Sequence, residues 1–130
     1  MLQHEEFCKK ILGLDSSVRF AALADHLGSL LTTTYRQGLV PLAEKDETAK
    51  FANQAVFMTG ALGVGRNSRI GRMQYVVGRY ENLIRATIPV VNGSYDKVYL
   101  MLSFDVGSDV VSIIEKKIMP FLKESNEPFS

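Results

Sequence analysis

Residues 18–36, VRFAALADHLGSLLTTTYR, constrain this chain more than any other stretch. An apolar run ends in Asp25-His26-Leu27-Gly28, and a threonine-rich run begins at once. Gly28 after a short polar turn can take the left-handed conformation that closes a three- to five-residue loop, so the stretch predicts a β-hairpin. In the first strand Val18, Phe20, Ala22 and Ala24 are apolar, and so are Ala21 and Leu23 between them. A strand apolar on both faces belongs inside a sheet that is covered on each side. The second strand, residues 30–35, alternates less cleanly and is expected at the periphery. The chain therefore needs a sheet and cover for both of its faces.

Three helices can supply that cover. Residues 4–12, HEEFCKKIL, place Phe7, Cys8, Ile11 and Leu12 on one helical face, with Glu5 and Glu6 leading, Lys9 and Lys10 following and Gly13 as the stop. Asp46 is the expected N-cap of a second helix over residues 46–62, whose stripe is Phe51, Ala52, Ala55, Val56, Thr59 and Leu62. Ser108 is the expected cap of a third, with Val110, Val111, Ile114, Ile118, Phe121 and Leu122 inward, and Pro120 predicts a kink or an end. Between the second and third helices lie three strand-like runs, residues 73–80, 83–91 and 97–104. Pro89 inside the middle run marks a strand end, a bulge or an unpaired edge. The last run, VYLMLSF, is apolar on both faces and belongs in the centre.

The expected architecture is α+β: helix, two strands, helix, three strands, helix. Its sheet has five antiparallel strands in the order 2-1-5-4-3, with helices on both faces. A chain of 130 residues suits one domain over residues 1–123, with residues 124–130 as a flexible tail. The formal charge of +1 argues against a general nucleic-acid binder but permits a local patch. Cys8 stands alone, so neither an internal disulfide nor a thiolate metal site is expected. No apolar run reaches the ~18–20 residues of a membrane span, and MLQHEEFCKK lacks the apolar core of a signal peptide. A cytoplasmic protein is the expectation.

Several residues carry a resemblance. Val18-Arg19-Phe20 with Ala24-Asp25 and Gly28, the strand bearing Tyr75 and Tyr80, and VYLMLSFDV leading into the last helix resemble the Roadblock/dynein light chain domains and their profilin-like and longin-like relatives. Ile11-Leu12-Gly13-Leu14-Asp15 before VRFAALAD is also similar to a family of small archaeal proteins. The Roadblock resemblance implies a homodimer or heterodimer that pairs the middle strand and the long helix of each subunit. It implies a scaffold or regulator of small GTPases and motor complexes, prokaryotic members stimulating GTP hydrolysis in a partner. In this chain the corresponding elements are residues 73–80 and 46–62.

Chemistry is sparse. GALGVGRNS over residues 60–68 has the glycine spacing of a phosphate loop, but Arg66 and Asn67 stand where Lys and then Ser or Thr are needed. It also joins a helix to a strand, the reverse of that motif. Five of the seven arginines, Arg66, Arg69, Arg72, Arg79 and Arg85, fall between residues 66 and 85 with only Glu81 as an acid. Arg66, Arg69 and Arg72 are the candidate contacts for an anion or an acidic partner. Nucleic acid is disfavoured, because Tyr75 and Tyr80 lie on opposite faces and form no stacking platform. His4 and His26 have no third ligand at metal spacing, and no cofactor or nucleophile–base pair is implied. Cys8 reads as a buried thiol, and Met58, Met73, Met101 and Met119 as core. Phe57, with Gln54 and Asn53, points away from the Ala-rich stripe. Together with Tyr75 and Val77 of the predicted edge strand, these residues form the expected dimer surface. The functional expectation is a non-enzymatic, homodimeric interaction module with a protein partner such as a small GTPase. The alternative is a profilin-like sensor of a nucleotide or anionic metabolite.

Overall fold

A computed structural model describes residues 4–42, 44–62, 69–91 and 97–124. The predicted turn is organised by Asp25. Its Oδ1 accepts the Leu27 and Ser29 N–H groups, both at 2.9 Å, while its carbonyl accepts the Gly28 N–H at 3.0 Å. Gly28 follows with φ of 84°, the left-handed residue that lets the two strands leave the turn paired. The strands are β1 (Val18–Ala24) and β2 (Leu30–Tyr35), antiparallel, with Phe20 opposite Tyr35.

The remaining strands are β3 (Val76–Arg79), β4 (Ile84–Val91) and β5 (Lys97–Phe104). The five form one antiparallel sheet in the order β2-β1-β5-β4-β3, as the sequence predicts. The two-sided apolar strands β1 and β5 are interior; β2 and β3 are the edges. β3 is shorter than the expected 73–80, pairing only from Val76 opposite Thr87 to Arg79 opposite Ile84. Pro89 stands beyond the last of these pairs, where β4 is paired with β5 alone. A residue without an N–H is tolerated at such an unpaired edge.

One sheet face is covered by α1 (His4–Leu12) and α3, residues 110–124. Their Phe7, Cys8, Ile11, Ile114 and Ile118 pack on Ala21 and Leu23 of β1 and on the alternate residues of β4 and β5. The other face is covered by α2 (Lys45–Leu62), whose Ala52, Ala55 and Val56 pack on Phe20, Ala22 and Ala24 of β1 and on Tyr99 and Met101 of β5. Small residues on both sides let α2 lie close to the sheet. Burial raises the Cys8 thiol to about 12, which leaves it protonated and inert.

The structure corrects several expectations. Val18 does not share a face with Phe20: the β1–β5 ladder slips between them, so Arg19 is an extra residue and Val18 joins Ala21 and Leu23. Asp46 is inside the first turn of α2 rather than its cap, because the Glu44 carbonyl already accepts the Thr48 N–H at 2.9 Å. The cap of α3 is Asp109, not Ser108; its carboxylate accepts the Ser112 N–H at 3.3 Å. Ser108 instead donates to the Asp105 carbonyl. Within α3, Val111 is exposed and Ile113 is buried. Pro120 does not end α3, which runs on through it with a change of helical type just before. The helix is α over Val110–Ile113, π over Ile114–Ile118 and α again over Met119–Glu124. The wider π turn contains Lys116, whose carbonyl a proline at position 120 cannot bond. Glu124, expected in the tail, is helical, and the rest of that tail, residues 125–130, lies outside the described residues. No helix among the described residues is long and apolar enough to cross a membrane.

Candidate functional site

α2 carries two apolar stripes. Thr48, Ala52, Ala55, Val56 and Thr59 face the sheet. Phe57, Met58, Ala61 and Leu62 recur at helical spacing on the other side, where nothing among the described residues covers them. Phe57 is 78% exposed, Met58 58% and Leu62 54%. Met58 is therefore not core and Leu62 does not belong to the inward stripe, both corrections to the sequence reading. A helix that is apolar on both sides is one that expects cover on both sides. Large apolar side chains grouped on a surface mark contact sites more often than single ones do.

The residues grouped by the sequence reading fall in different places. Gln54 is exposed beside Phe57, on the same side of α2. Asn53 is turned to the hairpin, its Nδ2 donating to the Leu27 carbonyl at 3.1 Å. Val77, on β3, lies on the opposite face of the sheet from α2, because its partner Ala86 belongs to the core under α1 and α3. Tyr75 packs against that same core, its hydroxyl donating to Glu115 of α3 at 2.6 Å, which holds the phenol above its ordinary range. α2 and β3 thus offer two separate features rather than one patch: a helix face above the sheet and a free strand edge.

Arg69 and Arg72 are exposed in the segment that leads into β3, and Arg66 lies outside the described residues. Among the described residues, the ion pairs are Lys9–Glu5, Arg19–Asp105, Arg36–Asp105 and Lys117–Asp15. None of them engages the basic run. Arg79 donates to the Tyr80 carbonyl. Arg85 lies over the Phe51 ring at 3.8 Å from its centroid and over Tyr80 at 5.1 Å.

The two arginines outside the run are the ones that the fold uses. Arg36 donates to both oxygens of Asp105, at 2.7 and 3.1 Å, and Arg19 donates to Oδ1 at 3.0 Å. The Arg36 hydrogen bonds hold the Asp105 carboxyl below its ordinary range, with Arg19 adding to them. The sequence contained part of this signal. Counting back from the Gly28 turn brings Arg19 within one residue of Arg36; a register shift between Leu23 and Ala24 completes the pairing, and the Arg36 N–H bonds the Arg19 carbonyl at 2.8 Å. Two facing guanidiniums need a shared anion, and the one that serves comes from the end of β5.

No protein-family model matches the sequence, and no curated protein matches it. Solved structures do. The gliding protein MglB of Thermus thermophilus is similar over 96% of this chain and 84% of its own, at 18% identity and a TM-score of 0.66. A Roadblock/LC7 domain from Streptomyces avermitilis is similar over 96% and 95%, at 13% identity and a TM-score of 0.65. The fold is that of the Roadblock/LC7 domains. A MglB with a tetrameric arrangement shares it over 95% of this chain and 82% of its own, at 16% identity and a TM-score of 0.65. At these identities the likeness fixes the path of the chain and leaves surface chemistry to the residues themselves. In the Roadblock/LC7 fold of this chain, that chemistry is the second apolar stripe of α2 and the free edge of β3.

Proposed function

We propose that this chain is a non-enzymatic interaction module that self-associates through the outer face of α2 and the edge of β3. As a dimer it scaffolds or regulates a protein partner, a small GTPase being the first class to test. The observation that carries the reading is the second apolar stripe of α2, Phe57, Met58, Ala61 and Leu62, exposed to solvent in a fold that also leaves one edge of β3 unpaired. Pairing β3 with β3 of a second copy satisfies its free N–H and C=O groups and extends the sheet. The same approach brings the two α2 faces together, so apolar burial and backbone pairing favour one geometry. The tetrameric arrangement of a MglB with this fold supports self-association.

Size-exclusion chromatography with light scattering at micromolar concentration tests the proposal. The native chain is expected to elute as a dimer and Phe57→Glu as a monomer. An anchor residue of an interface is worth about 2 kcal/mol or more, roughly 30-fold in Kd. A monomeric native chain, or a Phe57→Glu variant as dimeric as the parent, contradicts it.

A further inference from the structure

A cleft opens on the α2 side of the sheet, away from the stripe discussed above. Its floor includes Phe20, Arg85 and Ser103, and its walls are Tyr35, Phe51 of α2 and the segment Leu39, Pro41 and Leu42 that leads from β2 to α2. Phe20 and Tyr35, paired across β1 and β2, stack with ring centroids 4.9 Å apart. The space open to the centre of a water-sized group is about 40 Å³, and the empty space including the open mouth is about 450 Å³. By the volume a water needs, that room takes about three water-sized groups, the size of a carboxylate.

Arg85 is the unusual lining residue. Its guanidinium is half-buried and held by the Phe51 and Tyr80 rings, yet among the described residues it has no hydrogen-bond acceptor and no carboxylate partner. Stacking uses the face of a guanidinium and leaves its in-plane N–H donors unspent. The clamp is supported from below. Gly78 is opposite Arg85 in the β3–β4 ladder, and a Cβ there would meet the Tyr80 ring at 3.3 Å, so glycine lets Tyr80 fold over the sheet. Arg19, the other cation of the lining, is already bonded to Asp105.

We propose that this cleft binds a small organic acid, its carboxylate taken by Arg85 and its apolar body lying between Tyr35, Leu39 and Leu42. The fixed guanidinium matches a planar carboxylate with paired hydrogen bonds. The largely apolar walls select an organic acid over an inorganic anion. The sequence points to Arg66, Arg69 and Arg72 for an anion; Arg85, in the same basic run, is a donor held in place by stacking. This inference does not depend on self-association, because the cleft is complete within one copy.

Amide and arginine side-chain NMR spectra of the full chain, titrated with phenylacetate, test it. Phenylacetamide and inorganic phosphate are the controls. Saturable shifts are expected for Arg85 Nε–H, Phe51 and Tyr80 with phenylacetate, and neither control should reproduce them. Arg85→Gln is expected to weaken binding about 10- to 100-fold, the loss of a charge-assisted pair. Phe51→Leu, which leaves the charge in place and removes the stacking face, is expected to weaken it less. Absence of saturable shifts overturns the proposal. So does equal binding of phenylacetamide or phosphate, or binding unchanged in a folded Arg85→Gln or Phe51→Leu protein.

Discussion

Replacing Gly28 by alanine tests the turn on which the fold is built. Two separate effects act there. Gly28 has φ of 84°, where an L-residue is strained by about 1–2 kcal/mol. A Cβ at this position would also lie 2.7 Å from the Asn53 Cα and 3.0 Å from its Nδ2. The first of these contacts is with backbone, so a side-chain rotation cannot relieve it; α2 or the hairpin must move. Forcing added volume into a packed contact costs about 1–3 kcal/mol, which brings the expected loss to roughly 2–5 kcal/mol. Gly38 is the internal control. Its φ is 79°, but nothing lies within 4 Å of a Cβ there, so Gly38→Ala should cost about 1–2 kcal/mol from strain alone. Urea denaturation followed by circular dichroism reads both, and at unchanged slope the difference in midpoint reports the approach of α2 to the hairpin. Shortening Asn53 to alanine should rescue little of the Gly28→Ala loss, since the Cα remains. Equal destabilisation by Gly28→Ala and Gly38→Ala would refute the claim that the turn and α2 are packed backbone to backbone.

Other outcomes follow from the charged groups. Asp105→Asn leaves Arg19 and Arg36 facing each other without their shared anion. Allowing for solvent at this partly exposed site, it should cost about 1–2 kcal/mol, and adding Arg36→Gln should recover part of that in a double-mutant cycle. Acid should unfold the protein along a defined limb. Lys117, and after it Ser17, lower the Asp15 carboxyl from 3.8 to about 2, and Asp105 is lowered as well. A carboxyl with a lower pKa folded than unfolded contributes its stability above the unfolded value and loses it as pH falls through the folded one. The urea midpoint should therefore hold above pH ~4 and drop toward pH ~2. The Asp15→Asn, Asp105→Asn double variant should show a shallower drop, and an equally steep one would count against these pairs.

How much was legible beforehand follows from what each residue answers to. The hairpin, the strand order and the three covering helices depend on local spacing and on strands that are apolar on both faces, and residues 18–24 and 97–104 carry those signals openly. The bulge at Arg19 was hidden, since a one-residue slip leaves no mark in a run where both faces are apolar. Met58 was misread as core because a buried and an exposed apolar stripe look alike until one knows which side meets the sheet. The Arg85 clamp joins Phe51, Tyr80 and Arg85 from α2, the end of β3 and β4, and no local pattern brings those three together. The Asp105 bridge was only partly within reach: the hairpin brings Arg19 and Arg36 within one residue of each other, and the register shift between Leu23 and Ala24 that sets them face to face leaves no mark in the sequence.

The central claim is that the chain meets a second copy through α2 and β3, and not through the other free edge at β2. Hydrogen exchange measured by mass spectrometry at low and high protein concentration tests it most directly. The account predicts that protection rises with concentration at residues 54–62 and 76–79 and stays constant at residues 30–35. Concentration-dependent protection of residues 30–35 instead, or none at either edge, would contradict it.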